Sequence, residues 1–178
     1  YYDVSKETIL MTDWSKTKQG IGFILLQKHC SCMNDDKNPV CCDKWKLVLC
    51  DSRTCQKGER GFAPIEGEAL AIVWGLRKAK LFLLGNKFKG VTDHEPLLKI
   101  FNDKSLADIE NSRLRSLKEK TLMFSFSIHH VKGKENYADV FSKYPSSDPT
   151  EEDMQLINDM MVASMNIIRD SQLLKRLW

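Results

Sequence analysis

Residues 8–28 read TILMTDWSKTKQGIGFILLQK, and this stretch decides the fold. TILMT (8–12) is short, apolar and β-branched, and it runs into Asp13. KTKQG (16–20) is a polar turn, and GIGFILLQK (20–28) is a second apolar run. Two such runs separated by a turn form a β-hairpin. Asp13 sits where the first strand stops, facing a core or a cleft. Isolated charges are rarely buried, so this carboxylate implies a partner.

Outward from the hairpin, residues 29–44 are rich in Cys, Asp and Asn, contain Pro39, and read as a long loop. WKLVLC (45–50) is a third strand, giving three antiparallel strands in succession. Pro64 opens a helix, a favoured first-turn position. Ile65, Ala69, Ile72, Leu76, Ala79 and Leu83 recur at helical spacing, and Gly85 stops the run. FKGVTD (88–93) is a fourth strand, weakened by Gly90. HEPLLKIF starts a short helix, and residues 109–122 form a charged amphipathic one. FSFSIHHV (124–131) alternates with period two and is a half-buried fifth strand. KGKEN is a turn, and Asn136 can cap a last helix with Asp139 in its first turn, where the dipole favours a carboxylate. The order predicts an α/β domain whose five-stranded mixed sheet, three antiparallel strands then two parallel, is flanked by helices.

At 178 residues the chain is one domain with a tail. The domain is expected over residues 1–145. Residues 146–178 begin as a Ser/Asp/Pro/Glu linker, and then Met154, Ile157, Met161, Met165 and Ile168 recur at helical spacing. This predicts a helix over 151–177 that the core does not need. No apolar run reaches the ~18 residues of a membrane span. The start, YYDVSKETIL, lacks a leader pattern and an initiator Met, which reads as a fragment of a longer intracellular polypeptide. The formal charge is +3. Residues 146–178 hold three basic and six acidic side chains, so the rest carries about +6. A mildly basic globular part suits a polyanion. Cys30, Cys32, Cys41 and Cys42 cluster beside His29 and could give four thiolates to one structural zinc. The alternative is a group of free thiols in a hairpin loop.

Three more carboxylates stand like Asp13 at the mouths of elements: Glu68 on the long helix, Asp93 after the fourth strand, and Asp139 on the last helix. Glu66 rivals Glu68, but the phase of ALAIV favours Glu68. If the first and fourth strands are parallel neighbours, Asp13 and Asp93 emerge on one edge, and the two helices can close over it. Four converging carboxylates repel one another unless cations lie between them. Hard oxygen ligands suit Mg²⁺ or Mn²⁺ rather than zinc. Two such ions about 4 Å apart are a common arrangement for phosphodiester cleavage.

Together the motifs TDWSKTKQGIGFILLQKHC, Ser52–Arg53, FAPIEGEALAIVWGLRK, FLLGNKFKGVTDHEPLL, ENSRLRSLKEKTLMFSF and HHVKGKENYADVFSKYP resemble a known family. That family is the ribonuclease H domain of reverse transcriptases from gypsy-type LTR retrotransposons. The resemblance runs from about Ser5 to Pro145. It implies metal-dependent hydrolysis of the RNA strand of RNA–DNA hybrids during reverse transcription, with two Mg²⁺ or Mn²⁺ as cofactors. It also implies a polyprotein that carries polymerase and integrase domains, the tail being the connector toward the integrase. By motif, Asp13 looks like the aspartate bridging both metals, Glu68 and Asp93 complete one metal site, and Asp139 completes the other. Arg53, Arg113 and Arg115 are candidate phosphate contacts. The cellular enzymes of the family have a catalytic His in the loop before the last aspartate; here that loop, 132–135, has none. Gly90 and Cys50–Asp51 also depart from the pattern.

Two other readings compete with the nuclease. A silent retroelement relic would keep the fold as a binding or structural module, although the intact tetrad argues against it. An integrase or transposase core needs Asp, Asp, Glu in that order, and here Glu comes second.

Overall fold

The computed structural model describes residues 2–31, 44–156 and 158–159. The strands are β1 (Thr8–Ser15), β2 (Gly20–Lys28), β3 (Trp45–Thr54), β4 (Lys87–Thr92) and β5 (Ser125–His130). The helices are α1 (Pro64–Lys78), α2 (Lys80–Leu83), α3 (Pro96–Leu98), α4 (Ser112–Glu119) and α5 (Asp139–Lys143), and a π-helical turn over Lys99–Asp103 extends α3. The five strands form one sheet in the order β3-β2-β1-β4-β5. β1 and β3 flank β2 antiparallel, whereas β1 with β4 and β4 with β5 are parallel. The mixed sheet expected from the element order is present.

Two strands run further than their apolar stretches suggest. β1 continues beyond Asp13 because Asp13, Trp14 and Ser15 still pair with Gly22, Ile21 and Gly20. β3 continues to Thr54 because Asp51, Ser52 and Arg53 pair with Phe23, Gly22 and Ile21. Asp51 is therefore inside its strand. The long helix expected over 64–83 is broken at Ala79, whose ψ of 11° leaves the helical range. The amphipathic helix expected over 109–122 is shorter, with Asn111 at its N-cap accepting the Arg113 and Leu114 amides.

The period-two alternation of β1 and β2 divides two cores. Leu10, Trp14, Ile21, Phe23 and Leu25 pack with Leu70, Trp74, Leu114 and Leu117 of α1 and α4 in the larger one. Ile9, Met11 and Leu26 pack with Val91, Val131 and Ala138 in the smaller one, ahead of α5. Gly90 lies under the Ile128 side chain, whose Cδ1 would be 2.5 Å from an added Cβ, so the unbranched residue in β4 answers a close contact.

The expected boundary at residue 145 does not separate the tail from the domain. Ser146 and Ser147 hydrogen-bond Ser52, and Thr54 donates its amide to the Ser147 carbonyl (2.9 Å). Thr150 and Asp153 then form a reciprocal cap: the Thr150 amide donates to Asp153 Oδ2 (2.9 Å) and the Asp153 amide to Thr150 Oγ1 (3.4 Å). Asp153 is buried, accepts the Trp74 indole N–H (2.8 Å) and stands 3.6 Å from Arg53 Nε. Leu156 is buried in the larger core. Residues 151–156 are helical, as expected; the expected helix beyond residue 159 lies outside the described residues. No helix among the described residues is long and apolar enough to cross a membrane.

Truncation after Pro149 should therefore destabilise the domain, contrary to the expectation of a dispensable tail. It leaves the Trp74 N–H unsatisfied and removes one of the two carboxylates beside a buried guanidinium, a class of loss worth about 3 kcal/mol. Asp153→Ala should lower the urea midpoint by a comparable amount. A midpoint equal to that of the full chain in both proteins would mean the tail only rests on the surface.

Candidate metal centre

Parallel pairing brings the first two carboxylates together. Ile9 lies opposite Lys89 and Met11 opposite Val91; the same register carried forward sets Asp13 beside Asp93. α1 packs across β1, and its second turn holds Glu68 over the same end of the strand. Asp13, Glu68 and Asp93 each offer an oxygen, and these atoms lie within 4.8 Å of one another. Asp13 and Glu68 are buried, while Asp93 is half-exposed.

Electrostatics at this edge favour an added cation. Burial, followed by the charges of Asp93 and Asp139, raises the Asp13 pKa to about 6, with the Ser142 hydroxyl acting the other way. Burial and the charges of Asp13 and Asp93 hold Glu68 well above the usual carboxylate range. Glu68 Oε2 is buried with no hydrogen-bond partner. An orphaned buried oxygen among hard oxygen donors fits a divalent cation.

The rival glutamate is otherwise engaged. Glu66 accepts the Ala63 amide (3.0 Å), the Asn111 side-chain amide (3.0 Å) and Arg113 Nη1 (2.6 Å). It caps α1 and ties α4 to it. Asp139 is near enough for its charge to act on Asp13, but it stands outside the trio, half-exposed, with its carboxylate 2.8 Å from Lys143 Nζ.

Of the expected phosphate contacts, Arg53 is corrected. Its side chain is 1% exposed and pairs bidentately with Glu59 (2.7 Å for both bonds) beneath Trp74. A guanidinium in that position is a structural ion that reaches no ligand. Arg113 lies over the Phe62 ring and is partly exposed. Arg115 donates through Nε and Nη2 to the Ile109 carbonyl (3.0 and 2.6 Å). The cysteine cluster cannot be followed, since Cys32, Cys41 and Cys42 lie outside the described residues.

Sequence reasoning missed three residues around the trio. Asn136, expected as a helix cap, is buried, and its side-chain amide donates to the Thr12 carbonyl (3.0 Å) and to Asp13 Oδ1 (3.4 Å). α5 itself begins at Asp139 with Ala138 at its cap. Ser142 Oγ donates to Asp13 Oδ2. Gly133 lies against Asp93, whose Oδ2 would be 3.2 Å from a Cβ there, and its chain neighbours Lys132 and Lys134 are exposed. The Lys-Gly-Lys run was the only signal in the sequence for the last of these.

Residues 3–121 match the family model described as the RNase H-like domain found in reverse transcriptase, and the chain belongs to that family. The match ends ahead of β5 and α5, so Asp139 lies outside it. Among curated proteins the chain is similar to the retrovirus-related Pol polyprotein from transposon 412 of Drosophila melanogaster, 32% identical over 144 residues covering 80% of this chain and 10% of that one. It is also similar to the corresponding polyprotein from transposon gypsy of the same organism, 30% identical over 145 residues covering 80% of this chain and 12% of that one. The chain thus spans about a tenth of the length of these polyproteins. Among solved structures, the N-terminal RNase H domain of a Mycobacterium tuberculosis protein, fused to maltose-binding protein, superposes with a TM-score of 0.50 at 14% identity, covering 91% of this chain and 99% of that one. That likeness concerns the fold.

A raised carboxyl pKa makes the metal-free domain lose stability as pH rises. The Asp13 contribution is complete below about 3.8 and lost as pH passes about 6. Its ionisation costs on the order of 2–3 kcal/mol. Glu68, also raised, acts in the same direction; His94, whose pKa burial lowers, acts oppositely, as do Asp153 and Glu66 at lower pH. In EDTA the melting temperature should therefore fall between pH 5 and pH 7.5, and Asp13→Asn should flatten the fall. Millimolar Mg²⁺ at pH 7.5 should raise the melting temperature of the wild type more than that of the variant. A flat wild-type profile would contradict the shared charge.

Proposed function

We propose that this chain is the ribonuclease H domain of a retrotransposon polyprotein and hydrolyses the RNA strand of RNA–DNA hybrids with divalent metal. The observation carrying this reading is the convergence of Asp13, Glu68 and Asp93 with one buried oxygen left unpartnered. Family membership supports the reaction class.

Asp13 would be shared between two cations, Glu68 and Asp93 would complete one set of ligands, and Asp139 the other. Bound Mg²⁺ or Mn²⁺ would supply the charge that activates water and steadies the leaving oxygen. The remaining work belongs to the chain. Asp13 and Glu68 are seated in the packed edge of the sheet, so their oxygens hold position without reorganising. Asp139 is half-exposed and held by Lys143; it would turn from that lysine toward the centre when substrate and cations arrive. Lys132, Lys134 and Lys143 stand around the cluster where phosphates would lie, and Arg113 and Arg115 mark a second line of approach along α4. Arg113 is half-neutralised by Glu66, so it would contribute less than its formal charge. The polymerase and integrase domains of the parent polyprotein would be covalent partners, with the tail leading toward the latter. The setting would be intracellular, where that polyprotein works.

Incubating the full chain with an end-labelled RNA–DNA hybrid and Mg²⁺ tests the reading. The RNA strand should be cut and the DNA strand spared, and EDTA should stop the reaction. Asp13→Asn and Glu68→Gln should each lower the rate by about 100-fold or more. Glu66→Gln should cost far less, and through stability. Equal losses at Glu66 and Glu68 would overturn the ligand assignment. A folded wild type that cuts no hybrid with Mg²⁺ or Mn²⁺ would favour the silent module.

A further inference from the structure

α5 approaches β2 more closely than a side-chain-bearing strand would allow. A Cβ on Gly22 would lie 2.5 Å from Phe141 Cβ and 2.7 Å from the Ser142 amide nitrogen, and one on Gly20 would strike the Ser142 carbonyl. Gly22 is the cross-strand partner of Asp13. The two glycines therefore seat α5 directly beside the Asp13 side chain. From that seat the Ser142 hydroxyl, wholly buried, reaches Asp13 Oδ2. It also lies 3.1 Å from the Asp139 carbonyl. A hydroxyl has one proton to give, and a charged acceptor takes it in preference to a neutral one. On the other side, Asn136 gives its amide protons to Asp13 Oδ1 and the Thr12 carbonyl, while its own Oδ1 accepts the Ala138 amide (3.2 Å). Both donors belong to residues 136–142, the segment that also bears Asp139.

A carboxylate has about four lone-pair sites. One on each oxygen of Asp13 is occupied by a donor from this segment. One on each remains, and one Asp13 oxygen lies within 4.8 Å of oxygens of Glu68 and Asp93. We propose that Ser142 and Asn136 are positioning residues that set the rotation of the Asp13 carboxylate and tie it to the segment carrying Asp139, leaving its remaining lone pairs for divalent cations. This rests on the metal-centre reading above. It assigns a purpose to the glycine pair in GIG, which hairpin formation alone does not require. The alternative is that Ser142 merely fills a buried site under α5.

Mn²⁺ titration of the full chain without nucleic acid, followed by electron paramagnetic resonance, distinguishes these. Ser142→Ala should raise the Mn²⁺ dissociation constant about tenfold or more, as loss of a ligand-orienting hydrogen bond does elsewhere. Ser142→Thr, which keeps the hydroxyl, should retain more of the affinity than Ser142→Ala. In hybrid cleavage, Ser142→Ala should lower kcat at fixed Mn²⁺ with KM for the hybrid unchanged, and added Mn²⁺ should restore part of the rate. Asn136→Ala should act in the same direction, and it carries the comparison should Ser142→Ala lose its fold. Wild-type affinity in both alanine variants would overturn the proposal, as would a wild type that binds no Mn²⁺. A wild type that binds Mn²⁺ but cuts no hybrid would overturn the nuclease reading alone, because the titration still decides the role of Ser142.

Discussion

Parallel pairing between β1 and β4 is the constraint on which the rest of the site depends. It sets Asp13 beside Asp93 at one strand end, where water is largely excluded and like charges repel. A backbone hydrogen bond from Trp14 to Glu68 and the Ser142 hydroxyl on Asp13 offset only part of that repulsion. The cost is held by the larger core, where α1 packs Leu70, Trp74 and Leu76 against β1 and β2 and cannot withdraw Glu68 from the cluster. A centre poised in this way is stable enough to persist and unsatisfied enough to favour a cation.

The opposite face shows how a small element can control a large one. α5 has only five residues, too few to be stable alone. It is held by the smaller core through Ala138, by the glycine seat on β2, and by the side chains of Asn136 and Ser142. The same few contacts that anchor the helix also orient the Asp13 carboxylate. Folding of the last helix and assembly of the centre are therefore coupled. The tail beyond α5 is joined by a second buried network, in which Glu59 pairs with both Nη atoms of Arg53 and Asp153 accepts the Trp74 indole N–H while standing 3.6 Å from Arg53 Nε. A buried guanidinium is tolerable only because two carboxylates and an aromatic face surround it. Residues 146–156 thus belong to the domain.

Several elements were legible because their signals are local. The hairpin of β1 and β2, the alternation in β5 and the start of α1 at Pro64 follow from periodicity and turn chemistry within a few residues. The preference for Glu68 over Glu66 followed from helical phase, which decides which side chain turns toward the sheet. The break at Ala79 was not legible, because Leu83 keeps the helical spacing across it. Arg53 was misread because an arginine on a strand carries no mark of burial, and its partners lie six and a hundred residues away. Asn136 looked like a cap for the same reason: its true acceptors, Thr12 and Asp13, are on the first strand.

By itself the sequence determined the order of elements, the mixed sheet they imply, and the four acidic residues that its motifs single out. Those properties depend on short-range periodicity and side-chain type. Tertiary structure alone decided which carboxylates share a site, which arginine is buried, how residues 146–156 are held against the sheet and which donors hold Asp13. Each of these is a juxtaposition of residues far apart in the chain. Such distances are set by strand register and close backbone approach, and no local pattern of residues encodes them.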